Sequence, residues 1–285
     1  MKWARENGCQ WSANTCGSAA EHGHLDTLKW ARDNGCPWNA RTCLGAARGG
    51  HLDVLQWAHE NGCPWDARTC TYAAEYGHFE ILKWARENGC AGDERTCEYA
   101  AMEGHLDILK WARANGCPWD ENTCAVSAAA QGHLDTLKWA RENGCPWTKR
   151  ICEAAASNGQ LEVVKWARKN GCPWDEHTCS NAATDGHLDF LKWARENGCP
   201  WTEKTCSAAA ENGHLEVLKW AHENGCPWGQ QTCDVAAQNG RLDILKLMHA
   251  NDFGGFQNTY QIAEANHRSD VIQWQRQTSR ARNQI

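Results

Sequence analysis

Thiols recur along this chain with a regularity that invites metal or redox chemistry. The eighteen cysteines fall into two series. One runs Cys9, Cys36, Cys63 and on to Cys226; the other follows it seven residues later, from Cys16, Cys43 and Cys70 to Cys233. A histidine follows the second cysteine at His24, His51, His78, His105, His133, His187 and His214, with Gln160 and Arg241 as exceptions. Cys-x6-Cys-x7-His could be read as a zinc ligand set. Helix geometry opposes it: Cys43 opens a short helical segment and His51 lies past its end, roughly 10 Å away at about 1.5 Å per residue. Two thiols then remain per unit, with neighbouring units on the order of 10 Å away. The cysteines read instead as small buried hydrophobes, the same in each copy because stacking demands the same packing, and the histidines as partners of turn backbone. No metal or other cofactor is expected, and zinc or thiol redox chemistry is kept as the alternative.

Eighteen tryptophans could serve as stacking platforms for single-stranded nucleic acid. They fall, however, on the apolar faces that stacking must bury, and a net charge of −6 opposes phosphate binding. The only basic bias is a tail holding Arg276, Arg280 and Arg282. No nucleophile–base pair, phosphate loop or carboxylate pair stands out once rather than in every copy, so catalysis is not expected.

The elements behind these residues are set by the Lys-Trp-Ala-Arg block. Its tryptophan falls at Trp3, Trp30, Trp57, Trp84, Trp111, Trp139, Trp166, Trp193 and Trp220, a spacing of 27 with one step of 28. In one copy, Thr42 to Arg48 reads as a short helix rich in small residues, with Thr42 as N-cap. Gly49-Gly50 breaks it. Leu52, Val54, Leu55, Trp57 and Ala58 then form an apolar stripe at helical spacing, and Asn61-Gly62 ends that helix. Pro64 pins the following loop out of helix. Each unit is helix, turn, longer helix, loop, and a stripe this wide must be covered by neighbouring copies.

The run Thr205-Cys206-Ser207-Ala208-Ala209-Ala210-Glu211-Asn212-Gly213-His214-Leu215-Glu216-Val217-Leu218-Lys219 resembles the ankyrin repeat signature, and the resemblance covers residues 1–274. It is similar to the divergent Trp/Cys-rich ankyrin arrays of giant viruses and protists. The resemblance implies an all-α helical solenoid of about nine to ten helix-turn-helix repeats, whose first helices and loops line a concave, partner-binding face. Ankyrin units are about 33 residues, so the loops between repeats are shortened here. A leucine-rich repeat is the rival fold. Its asparagine is misplaced here, since Asn34 comes four residues after Trp30, and Lys-Trp-Ala-Arg-Glu-Asn favours helix.

Tandem repeats are expected over residues 1–252, with a capping repeat and polar tail over 253–285. Met1 opens directly onto a second helix, as in a piece of a longer chain. With no apolar run of about 18 residues and no signal-peptide core, the expected compartment is cytoplasm or nucleus, or host cytosol for a viral protein. The expected function is a non-catalytic scaffold for a protein partner. Positions that vary between copies are the ones free to set specificity. Among them, Tyr72, Tyr76, Tyr99 and Met102 cluster in two adjacent copies, with Arg68 and Arg95 at the loop rim, and tyrosine is enriched in binding hot spots.

Overall fold

The computed structural model describes residue 8 and residues 10–282 and is helical, with no strand among the described residues. The chain divides into two compact units, Met1–Pro146 and Trp147–Ile285. In the first, helices pair as Ala13–Glu21 with Leu25–Asp33, Ala40–Gly49 with Leu52–Glu60, Arg68–Glu75 with Phe79–Glu87, Glu94–Met102 with Leu106–Ala114, and Glu121–Gln131 with Leu134–Glu142. In the second, they pair as Lys149–Ser157 with Leu161–Lys169, Glu176–Thr184 with Leu188–Glu196, Glu203–Asn212 with Leu215–Glu223, Gln230–Gln238 with Leu242–Ala250, and Thr259–Ala265 with Ser269–Arg282. Within each unit, successive first helices stack on one another and each second helix packs on its own first helix. This is a helical solenoid of ankyrin-like repeats. Trp3 and Cys9 lie outside the described residues, as do the side chains of Arg280 and Arg282.

Two local expectations are corrected. The second helix is not the longer one: Ala40–Gly49 has 10 residues and Leu52–Glu60 has 9. Nor is Thr42 the N-cap. Asn39, in extended backbone at φ −153°, caps that helix and accepts the Arg41 N–H at 3.0 Å. Asp93 does the same in its copy, accepting the Thr96 N–H at 3.2 Å while its own N–H reaches Thr96 Oγ1 at 3.3 Å. An N-cap must sit outside helical backbone with its side-chain oxygen turned back. Asn39 and Asp93 meet that condition, whereas Thr42, Thr69 and Thr96 are already inside the helix and wholly buried.

The core of each hairpin is small. Ala46, Ala47, Val54, Leu55 and Ala58 are fully enclosed, and their counterparts are enclosed in most of the described copies. All described cysteines are free and buried. Their role is more specific than filling space. The cysteine that follows a second helix donates its thiol to the carbonyl of a residue at or just before the N-cap of the preceding first helix. Cys63 reaches Asn39 O at 3.4 Å, Cys90 reaches Asp66 O at 3.2 Å and Cys226 reaches Thr202 O at 3.4 Å. The other cysteine lies beside it, as Cys152 Sγ lies 3.6 Å from Cys172 Sγ. The thiols thus clasp the two ends of one hairpin. A weak donor no larger than alanine plus one atom suits such a place.

The tryptophans are half-buried rather than enclosed. A loop tryptophan meets the second-helix tryptophan of the same copy edge-on, Trp38 with Trp57 at 5.8 Å and Trp201 with Trp220 at 5.8 Å between ring centroids. Arg32 lies over Trp38 at 4.0 Å, and Arg168 over Trp174 at 4.2 Å. Edge-to-face rings and an overlying cation suit the charge distribution of the indole. The indoles are therefore engaged with one another along the second-helix side. At the C-terminal end, the second helix of the last pair runs from Ser269 to Arg282, so the residues read as a polar tail continue that helix.

Candidate partner-binding site

The variable face of the first helices holds an open groove of about 530 Å³ in the unit Met1–Pro146. Its floor exists because two copies carry glycine inside the first helix. A Cβ on Gly45 would lie 2.6 Å from the carbonyl of Gly17, so the helices Ala13–Glu21 and Ala40–Gly49 meet backbone to backbone there. The walls are charged and aromatic: Glu21, Arg41, Arg48, Arg68 and Tyr72. Arg48 pairs with Glu21 at 3.3 Å, and Arg41 Nη1 donates to Asn14 Oδ1 at 2.9 Å. Arg68 binds Asp66 at 2.7 Å, and that guanidinium holds the Asp66 carboxyl below its usual range.

Of the residues singled out in the sequence, three come together. Tyr72 is half-buried and lines the groove. Tyr76, at 42% exposure, is the exposed large hydrophobic among the described residues. Their rings lie 6.4 Å apart, as positions four apart on one helical face should. Arg68 completes the group. Tyr99 and Met102 are half-buried and do not line this groove, and Arg95 borders a separate hollow of about 340 Å³ with Gly92, Asp93, Glu94 and Pro118. The centre of the groove therefore sits earlier in the chain than the tyrosine pattern alone indicates. Arg48 was missed although its guanidinium stands 5.5 Å from the Tyr76 ring. The signal available was Arg48 itself, since that slot holds Glu21, Glu75 or Met102 in neighbouring copies, together with the glycines Gly17 and Gly45.

Thirty positions after each first helix ends, the recurring histidine reaches back to it. His78 Nε2 lies 3.0 Å from Arg48 O, His105 Nε2 3.2 Å from Glu75 O, and His214 Nε2 2.9 Å from Thr184 O. The acceptor is the last turn of the preceding copy, not the turn beside the histidine. The family model for ankyrin repeats in many copies matches residues 18–59, 43–86 and 206–249. These stretches are ankyrin repeats. No curated protein matches the chain. Ankyrin repeats are in general protein-interaction modules and typically lack catalytic activity. The groove lies within the matched stretch, between Asn14 and Tyr72 apart from its first few residues.

The other groupings of reactive side chains already have occupants. Glu153, Asp175 and His177 bring their ligand atoms within 4.8 Å of one another. Lys149 stands among them, 2.7 Å from Asp175 and 3.6 Å from Glu153, and supplies the positive charge. The thiols are enclosed. Burial, with Cys117 nearby, pushes Cys97 up to about 12, and burial pushes Cys233 up to about 11. Hydrogen bonds from Cys43, Cys70 and Cys206 instead lower Cys63, Cys90 and Cys226, but a reactive cysteine needs access as well as a lowered pKa, and these three are buried. No helix among the described residues is long and apolar enough to cross a membrane.

Proposed function

We propose that this chain is a non-catalytic scaffold that binds a protein partner on the face of its first helices, the concave face by family resemblance. Tyr72, Tyr76, Tyr99 and Met102 supply the apolar contacts, and Arg68 and Arg95 the charged rim. The observation that carries this reading is Tyr76. It is a large aromatic left exposed beside a second tyrosine and a guanidinium, whereas the described tryptophans are half-buried. Stacking fixes the repeated residues, so specificity falls to the variable ones, and tyrosine offers much contact area for little lost conformational freedom. A reducing compartment, cytoplasm or nucleus, suits the many free thiols.

The test is affinity capture from the source cell with the wild-type chain and with Tyr76→Ala in parallel, read by quantitative mass spectrometry. A protein recovered with the wild type and depleted with Tyr76→Ala supports the reading. Equal recovery of every captured protein contradicts it.

A further inference from the structure

The groove is positive within an acidic chain. Arg41, Arg48 and Arg68 line it against the single carboxylate Glu21, while the whole chain carries −6. Arg41 is held by the neutral Asn14 amide at 2.9 Å, so its charge is uncompensated by that partner. Arg48 and Arg68 keep about half of their side-chain surface exposed, at 50% and 56%, despite their ion pairs. Arg41 is available to a carboxylate in a planar, two-pronged fashion, while Arg48 and Arg68, already paired with Glu21 and Asp66, offer their exposed edges to a second one.

Arg41 and Arg68 occupy equivalent places in successive repeats, and stacked helices lie on the order of 10 Å apart. A flat β-strand cannot match that period with same-facing side chains, because its side chains alternate at about 3.3 Å per residue. A polyproline-II segment can: three residues per turn at about 3.1 Å each bring the same face round every ~9 Å. Such segments dock in grooves walled by aromatic rings, and here Tyr72 lines one wall, with Tyr76 exposed beside it 6.4 Å away. We infer that the groove takes an acidic peptide in polyproline-II form, with carboxylates at every third residue meeting Arg41 and Arg68 and a flanking carboxylate meeting Arg48. This rests on the reading of the first-helix face as the partner surface. A nucleic acid would find the same arginines, but its phosphates would extend past the groove over a surface of net negative charge.

The test uses the full chain and labelled synthetic peptides in fluorescence anisotropy. One peptide repeats Glu-Pro-Pro; a second has the same composition with its glutamates adjacent; a third carries lysine for glutamate. A single-stranded oligonucleotide is run beside them. The Glu-Pro-Pro peptide should bind best, and Arg41→Ala and Arg48→Ala should each weaken it about tenfold, with an effect that shrinks as salt is raised. Circular dichroism checks that these exposed substitutions leave the fold intact. Absent binding, equal binding of the two glutamate peptides, or binding of the oligonucleotide alone overturns the inference. If the peptides fail while a captured partner still depends on Tyr76, the acidic peptide is wrong and the surface stands; if neither depends on these residues, both fall.

Discussion

The ring nitrogen Nε2 of His78 lies 3.0 Å from the backbone carbonyl of Arg48, in the preceding repeat. A carbonyl only accepts, so Nε2 carries the proton and donates. The residue whose side chain walls the groove is therefore held through its backbone by the next copy. Arg241 and Arg268 make the same link by another donor, Nε to Glu211 O at 3.2 Å and Nε to Gln238 O at 2.8 Å. Replacing His78 by alanine should lower unfolding stability by about 1–2 kcal/mol, the worth of one bond plus an unpaired acceptor. His78→Arg should recover part of that. Urea titrations of the three chains check it, and equal stability of His78→Ala and wild type would show that the bond holds nothing.

The glycine beneath that ring offers a sharper contrast. Gly50 adopts φ 80°, and a Cβ there would lie 2.6 Å from the His78 ring; Gly62 adopts φ 77° with open space around it. Gly62→Ala should cost about 1 kcal/mol for left-handed backbone alone. Gly50→Ala should cost clearly more, because the ring must also move. Thermal melts of the two variants decide it; a Gly50→Ala no worse than Gly62→Ala would mean that the ring yields freely.

Much of the architecture was legible in the sequence because stacking copies the same demands each time. The frame, the glycine stops and the buried alanines all follow from repetition. The Asx caps were legible too, since Asp93 stands three residues before Thr96, but a more familiar capping threonine at the wrong position drew the eye. What could not be read was any contact crossing between copies. Arg48 meets Tyr76, and Arg41 meets Asn14, only through the stacking offset. The half-burial of the tryptophans was hidden for a related reason: an apolar stripe does not reveal that part of it is covered by loop indoles such as Trp38.

Thr69 and Thr96 hold the same place in adjacent copies, yet their hydroxyls differ. Thr96 Oγ1 closes the cap with Asp93, whereas the buried Thr69 Oγ1 has no hydrogen-bond partner. Thr96→Val should destabilise by about 1 kcal/mol, and Thr69→Val by less than about 0.5 kcal/mol or not at all. Equal losses in chemical denaturation would show that the threonines act through shape alone.

Alkaline pH should unfold the chain. The folded thiols of Cys97 and Cys233 keep their protons up to about 12 and about 11, whereas unfolded thiols release theirs near about 8.5. A pKa raised by folding gives stability that is complete below the unfolded value and is lost as pH rises toward the folded one. Unfolding free energy should therefore be flat from neutral pH to about 8 and fall steeply above 9. Native chain at pH 8 should also react slowly with a thiol reagent until denatured. Fast, complete labelling of native chain would contradict the enclosed thiol clasp.

The central claim is that a partner binds the first-helix face through Tyr76. The most direct measurement is the affinity of a captured partner for the wild-type chain, Tyr76→Ala and Lys165→Ala, the last lying on a second helix. Losing a true hot-spot tyrosine costs about 2 kcal/mol, roughly thirtyfold in Kd. That loss is expected for Tyr76→Ala alone, with Lys165→Ala unchanged. Unchanged affinity for Tyr76→Ala would contradict the claim.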